Sequence, residues 1–160
     1  MNDIDDTELT LREQYISALK AGAQLRCPTC ERYAQVYRRR LYYRPIKVMY
    51  GLLAATRRDP LQEWHHYTTF SDDNGGEFAK MRHWGFIMTL EKDDPLSPGS
   101  GYWQLTRSGE LFLRGRTHQP AWKDVLFNKI IETSDQLVNV ETAIEKKFDY
   151  RELLEGIRFG

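Results

Sequence analysis

Between residues 7 and 20 apolar side chains recur at helical spacing, with Leu9, Tyr15, Ile16 and Leu19 on one face, and the pattern predicts an amphipathic helix. Thr10 and Glu13 offer a capping-box pair, and Gly22 follows as a C-terminal stop. Residues 33–37, Tyr-Ala-Gln-Val-Tyr, are aromatic and β-branched and predict a short strand running into a cluster of arginines. Pro45 suits the first turn of a helix through Ile46, Val48, Met49, Leu52, Leu53 and Ala54. That helix is apolar over most of its circumference and so belongs at the centre of a core. Asp59-Pro60 ends it, because proline disfavours helical geometry at the residue before it. Residues 61–70 fit two templates: Trp64, Tyr67 and Phe70 at helical spacing, or Trp64, His66, Thr68 and Phe70 at strand spacing.

Past the turn cluster Ser71-Asp72-Asp73-Asn74-Gly75-Gly76, residues 77–84 predict a short helix ended by Gly85. Phe78 and Met81 face inward in it, and Glu77, Lys80 and His83 outward. Residues 86–90 and 102–105 predict a hairpin whose tip is the Pro/Gly/Ser-rich stretch 92–101. Thr106 caps a helix over 107–113 that turns Leu111 and Phe112 inward. Beyond Pro120, residues 125–131 and 137–140 predict a second small hairpin, followed by helical pieces near 141–147 and 150–154. The elements add up to an α+β fold in three parts: an N-terminal helix over 1–25, a core over 26–116, and a C-terminal hairpin with short helices over 117–160.

The chain has 160 residues, 41% of them hydrophobic, with 7 Phe, 9 Tyr and 4 Trp, enough to bury a core without disulfide staples. Twenty-three basic side chains balance 23 acidic ones, yet the charge is segregated. Residues 26–58 carry a net +8, built on Arg32, Arg38, Arg39, Arg40, Arg44, Lys47, Arg57 and Arg58, whereas 59–103 carry −5. Such an excess is a field that a phosphate backbone would feel, or else a source of ion pairs with the acidic flanks. No stretch reaches the roughly 18 uncharged apolar residues needed to cross a bilayer, and the acidic start is unlike a secretory leader. The expectation is a cytoplasmic protein without a membrane partner.

The order running from 77 to 114 is a helix ending in Trp84-Gly85-Phe86-Ile87, a strand, a long loop, a returning strand, and a helix opening at Arg107-Ser108-Gly109-Glu110. It resembles the second half of a winged helix-turn-helix domain. The resemblance implies that the helix before Gly85 enters the major groove, with Lys80, Arg82 and His83 facing the bases, while the hairpin tip rests on the flanking backbone. Glu91, Asp93 and Asp94 make that tip acidic, so phosphate contacts would fall to Arg38, Arg39, Arg40, Arg44 and Lys47. A wider set looks like a group of small proteins encoded by bacteriophages and prophages: Cys27-Pro28-Thr29-Cys30, the run from Arg32 to Arg39, Lys80 to Ile87, Gly101-Tyr102-Trp103, and Lys147-Phe148-Asp149-Tyr150. That likeness implies no activity, but it implies a host cytoplasm and a regulatory or host-directed role.

Cys27 and Cys30 present two thiols on one turn, which is half of a tetrahedral zinc site or simply a pair of structural cysteines. His65, His66, His83 and His118 lie at no finger-like spacing from them. No phosphate-cradling loop, His-Glu-x-x-His or recognisable nucleophile motif is present, so the expectation is a non-enzymatic protein without a cofactor, zinc being the one candidate. The leading expectation is a DNA-binding regulator. The alternative is a module that docks on a host protein, favoured by the acidic tip and by Trp84, Tyr102 and Trp103 as interface anchors. The amphipathic helix at 7–20 offers a homodimer contact, or packs on its own domain.

Overall fold

The computed structural model describes residues 11–22, 25–26, 31–71, 76–90 and 101–159. In chain order they form α1 (Leu11–Lys20), β1 (Leu25–Arg26), β2 (Tyr33–Ala34), β3 (Tyr37–Arg40), α2 (Tyr43–Arg58) and β4 (His65–His66). A 3-10 turn (Tyr67–Thr69), α3 (Gly76–Ala79), a second 3-10 helix (Lys80–Trp84), β5 (Ile87–Thr89), β6 (Tyr102–Leu105) and α4 (Arg107–Leu113) follow. The chain closes with β7 (Gln119–Pro120), β8 (Trp122–Leu126), β9 (Lys129–Thr133), β10 (Leu137–Val138), α5 (Val140–Ile144) and α6 (Tyr150–Phe159). This is a mixed α+β chain with small sheets. It divides into two units, Met1–Arg39 with Lys123–Thr133, and Arg40–Trp122 with Ser134–Gly160. The division cuts across the three parts read from the sequence, because β8 and β9 leave the C-terminal segment to join β3.

In the smaller unit, β1 pairs antiparallel with β2, and a three-stranded sheet runs in the order β3-β8-β9. Leu19, Ala34 and Leu126 form its buried centre, with Leu25, Val36 and Ile131 packed against them. Gly22, at φ +95°, follows α1 as the stop the pattern predicts. The start of that predicted helix, residues 7–10, lies outside the described residues. The predicted strand at 33–37 is broken into β2 and the start of β3, which pair with different partners. Corrected too is the second hairpin: residues 125–131 are themselves a hairpin, β8 folding onto β9 with Leu126 opposite Lys129. Phe127 and Asn128 form its turn, both in the left-handed region at φ +50° and +63°. Two-residue turns of that hand match strand twist, but a phenylalanine there is costly and gives no turn signal in the sequence.

In the larger unit α2 supplies Ile46, Met49, Tyr50 and Leu53, at spacings of three and four, together with Leu52. Phe78, Met81, Trp84, Phe86, Ile87, Phe112, Leu113, Val140 and Ile144 join them in one core. Residues 61–70 satisfy neither template alone. β4 carries His65 and His66, and the chain then tightens into the 3-10 turn, capped by the His66 ring, whose Nδ1 accepts from the Thr68 amide at 3.3 Å. β4 and β5 flank β6, giving a second three-stranded antiparallel sheet in the order β4-β6-β5. One face of it, with His65, Trp103 and Ile87, turns to the core, and alternation sends His66, Tyr102, Gln104 and Met88 to the other.

The junctions are built from single residues. Gly85, at φ +71°, ends the helix before β5. Thr106 donates its hydroxyl to the Gly85 carbonyl at 2.6 Å and accepts from the Gly109 amide at 3.1 Å, so it ties the strand pair to the start of α4. β10 pairs with β7, Leu137 opposite Pro120, and not with the segment at 125–131. Asn139 caps α5 through a bond from the Thr142 amide. Asp149 caps α6, which runs on to Phe159, beyond the piece predicted at 150–154.

Candidate nucleic-acid interface

The helix predicted at 77–84 is not uniformly α-helical. After α3 it winds tighter, and in 3-10 geometry residues three apart lie above one another. Met81 and Trp84 therefore fall together on the buried side, while Arg82 is exposed and Lys80 and His83 are half-buried. The Trp84 indole donates to the Pro120 carbonyl at 2.8 Å, fixing the end of the helix on the body of the unit.

At the other end, Tyr42 donates its hydroxyl to Glu77 at 2.8 Å, and Lys80 donates to the same carboxylate at 2.6 Å. Burial, and then the bond to Glu77, pushes the Tyr42 hydroxyl up to about 12, so it remains a donor at neutral pH. This link holds the start of α2 against α3 and brings Arg44 within the electrostatic reach of Glu77, the partner of Lys80. Arg44 donates to the Tyr43 hydroxyl at 3.2 Å. That bond and the guanidinium charge, with Lys147 beyond, hold the Tyr43 phenol below its usual range. Lys147 Nζ stands 5.7 Å from the centre of the same ring.

The eight predicted contact residues thus divide, half-buried His83 standing apart from the seven permanent cations. Arg40, Arg44, Lys47 and Arg82 are exposed, with no carboxylate partner among the described residues. Arg82 Nε turns back to the Ala79 carbonyl at 3.1 Å. Lys80 is committed to Glu77, a residue expected merely to face outward. Arg38 belongs to the smaller unit and makes a two-pronged bond to the buried carboxylate of Asp124, at 2.9 and 3.1 Å. Arg39, in the same unit, stacks its guanidinium 4.8 Å from the centre of the Tyr37 ring. A cation held by a buried carboxylate is not available to a phosphate, and the net +8 overstates what the surface offers.

Arg57 is likewise occupied. Its guanidinium reaches Glu110 at 2.6 Å, and Arg114 reaches the same oxygen at 3.0 Å. Burial pushes the Glu110 carboxyl up, but the bonds from Arg114 and Arg57 outweigh it and hold the group below its usual 4.5. A depressed folded-state value stabilises above the unfolded value and loses that contribution as pH falls through the folded one. The melting temperature is therefore expected to fall on acidification from about pH 5 to about pH 3, and a Glu110→Gln protein to show a shallower fall over that window.

Cys27 and Cys30 lie outside the described residues, and so does the acidic hairpin tip at 91–100. Among the described residues no group of three or more His, Cys, Asp or Glu side chains is placed to hold a metal ion. His65 is buried on β4 and His66 is half-buried on the opposite face, as alternation requires. No helix among the described residues is long and apolar enough to cross a membrane. Comparison with protein-family models, with curated proteins and with solved structures finds no match. The functional reading therefore rests on topology and side-chain geometry alone.

Proposed function

We propose that the larger unit is a winged-helix domain that binds nucleic acid, DNA foremost, in a non-enzymatic regulatory role of the kind phage-encoded proteins perform. The observation that carries this reading is the sheet order β4-β6-β5, with α2 ahead of it and the α3 segment leading through Gly85 directly into β5. In winged-helix domains the first strand pairs with the last, and the helix preceding the hairpin lies in the major groove. Here that helix carries exposed Arg82, the Tyr42–Glu77 bond holds Arg44 near it, and exposed Arg44, Arg40 and Lys47 are the phosphate contacts. Arg38 and Arg39 drop out of the contact set.

Fewer free cations mean a shallower salt dependence. With about four phosphates neutralised, duplex affinity should fall by about two decades between roughly 50 and 200 mM salt in an anisotropy titration. Arg82→Ala should change preference among duplex sequences, whereas Arg40→Ala should weaken all of them alike. Glu77→Gln removes a negative charge and releases Lys80, so it should tighten duplex binding and steepen the salt slope by about one. Absence of duplex binding at about 50 mM salt would end the proposal.

A second reading, docking on a protein, is favoured by the outward face of the β4-β6-β5 sheet. Met88 is 49% exposed and Leu90 and Tyr102 are each 39% exposed, an apolar surface at the root of the hairpin. A partner retained after nuclease treatment, and lost on Met88→Lys with Tyr102→Lys, would move the assignment to that class.

A further inference from the structure

Away from α3, the outer side of α2 faces a groove walled by α6 and by the aromatic turn at Phe70. Arg44, Lys47, Gly51, Ala54 and Arg58 of α2 run along it as one stripe, spaced by alternating threes and fours, with Tyr43, Val48 and Tyr50 beside them. Cations occupy its two ends and small residues its middle. The part nearest Arg44 and Lys47 is a recess of about 570 Å³ with Val48, Phe70, Leu153 and Ile157 as apolar walls, and among the described residues no carboxylate lines it. A second recess of about 650 Å³ continues toward Arg58, where Asp149 and Glu152 also stand. Arg44 and Arg58 are fourteen positions apart, about 21 Å along a helix axis.

Two glycines shape this groove. A side chain on Gly51 would put its Cβ 2.6 Å from the Phe70 carbonyl oxygen, so glycine is what lets the aromatic wall close onto α2. Gly156, on the α6 side, has nothing within 4 Å of the place a Cβ would occupy, so the floor there is open. Packing that brings a wall to within touching distance of one helix and leaves the other side clear makes a preformed slot, the shape that accepts an amphipathic helix.

We propose that this groove docks an acidic amphipathic helix of a partner protein, its apolar stripe between Phe70 and Leu153 and its carboxylates over Arg44 and Lys47. Charge complementarity selects the occupant: two exposed cations and, among the described residues, no carboxylate at that end call for an anion, and the apolar walls call for side chains that leave water. A phosphate backbone meets only the first requirement, because apolar walls give phosphates no partner. Asp149 and Glu152 at the far end set the direction, since they repel a second acidic cluster there. Arg44 and Lys47 are shared with the phosphate contacts proposed above, whereas Arg82 lies outside the groove.

The test uses the full chain and a labelled designed helix of about fourteen residues, with leucines on one face and glutamates in one half. Saturable binding is expected, at least about tenfold tighter than to a scramble of the same composition. Arg44→Glu with Lys47→Glu should weaken binding at least about tenfold, and a peptide with lysines in place of the glutamates should recover it on that variant. Gly156→Trp should obstruct the groove and lose binding with no fall in melting temperature, because the position is open. Either of two results would overturn the proposal: no saturation by about 1 mM peptide, or equal binding of the scramble.

Discussion

Replacing Phe112 with alanine is expected to cost about 4 kcal/mol and to lower the melting temperature by roughly 12 °C. Phe112 is fully buried and stacks on Phe86, with ring centres 4.8 Å apart and planes 19° from parallel. The pair joins α4 to the chain just before β5, so truncation opens a void between the two elements that present the α3 segment. Neighbours that Thr106 ties to the backbone have little freedom to collapse into it. Phe112→Leu keeps most of the volume and should cost no more than about 1.5 kcal/mol. Differential scanning calorimetry on the two proteins separates a cavity effect from loss of the stack: equal melting temperatures would contradict the volume argument.

Gly109→Val should be similarly damaging, at about 3 kcal/mol or more, for the opposite reason. A Cβ at this position in α4 would lie 2.3 Å from the Phe86 carbonyl oxygen and 2.9 Å from a Leu105 methyl carbon. The first of these is backbone and cannot swing away, so α4 would have to lift off β5. Helix propensity favours almost any residue over glycine by up to about 1 kcal/mol, far too little to offset that displacement. Gly156→Ala supplies the control: in the open position on α6 it is expected to be neutral or to stabilise by up to about 1 kcal/mol. Chemical denaturation of both proteins checks the contrast, and a Gly109→Val protein as stable as the parent would refute it.

What the sequence made legible follows from how local each signal is. Periodicity and Pro45 located α2, and Thr106 placed the start of α4 where it lies, because a cap and a helical stripe are written within a few adjacent residues. Gly85 was readable for the same reason. The second hairpin escapes its pattern because Phe127-Asn128 lacks the usual turn composition, while β7 and β10 pair across the strands that intervene. The pattern over 77–84 predicts one regular helix, and its tighter second half, which buries both Met81 and Trp84, has no marker in composition.

For the candidate site the limits are sharper. Counting charges along a segment records what the chain owns and not what each charge touches. Arg38 finds Asp124 across 86 positions, and Tyr42 finds Glu77 across 35. Both partners lie outside the basic segment, so its excess of eight could be counted while the share left for a ligand could not. Glu77 is the clearest case: outward-facing by pattern, it organises Tyr42 and Lys80 because the fold brings α2 and α3 together. The groove beside α2 was hidden in a similar way, since its stripe of small residues looks like ordinary helix interior until α6 and Phe70 are placed next to it.

The smaller unit is assembled from two stretches with residues 40–122 between them. During synthesis, therefore, β3 leaves the ribosome long before β8 exists, and Arg38 must wait for Asp124 until more than eighty further residues have been added. The larger unit has most of its chain in hand by then. Translation order alone keeps β3 waiting for its sheet while the bulk of the larger unit is made, and an early stop before Lys123 would release a polypeptide whose β3 lacks the rest of its sheet.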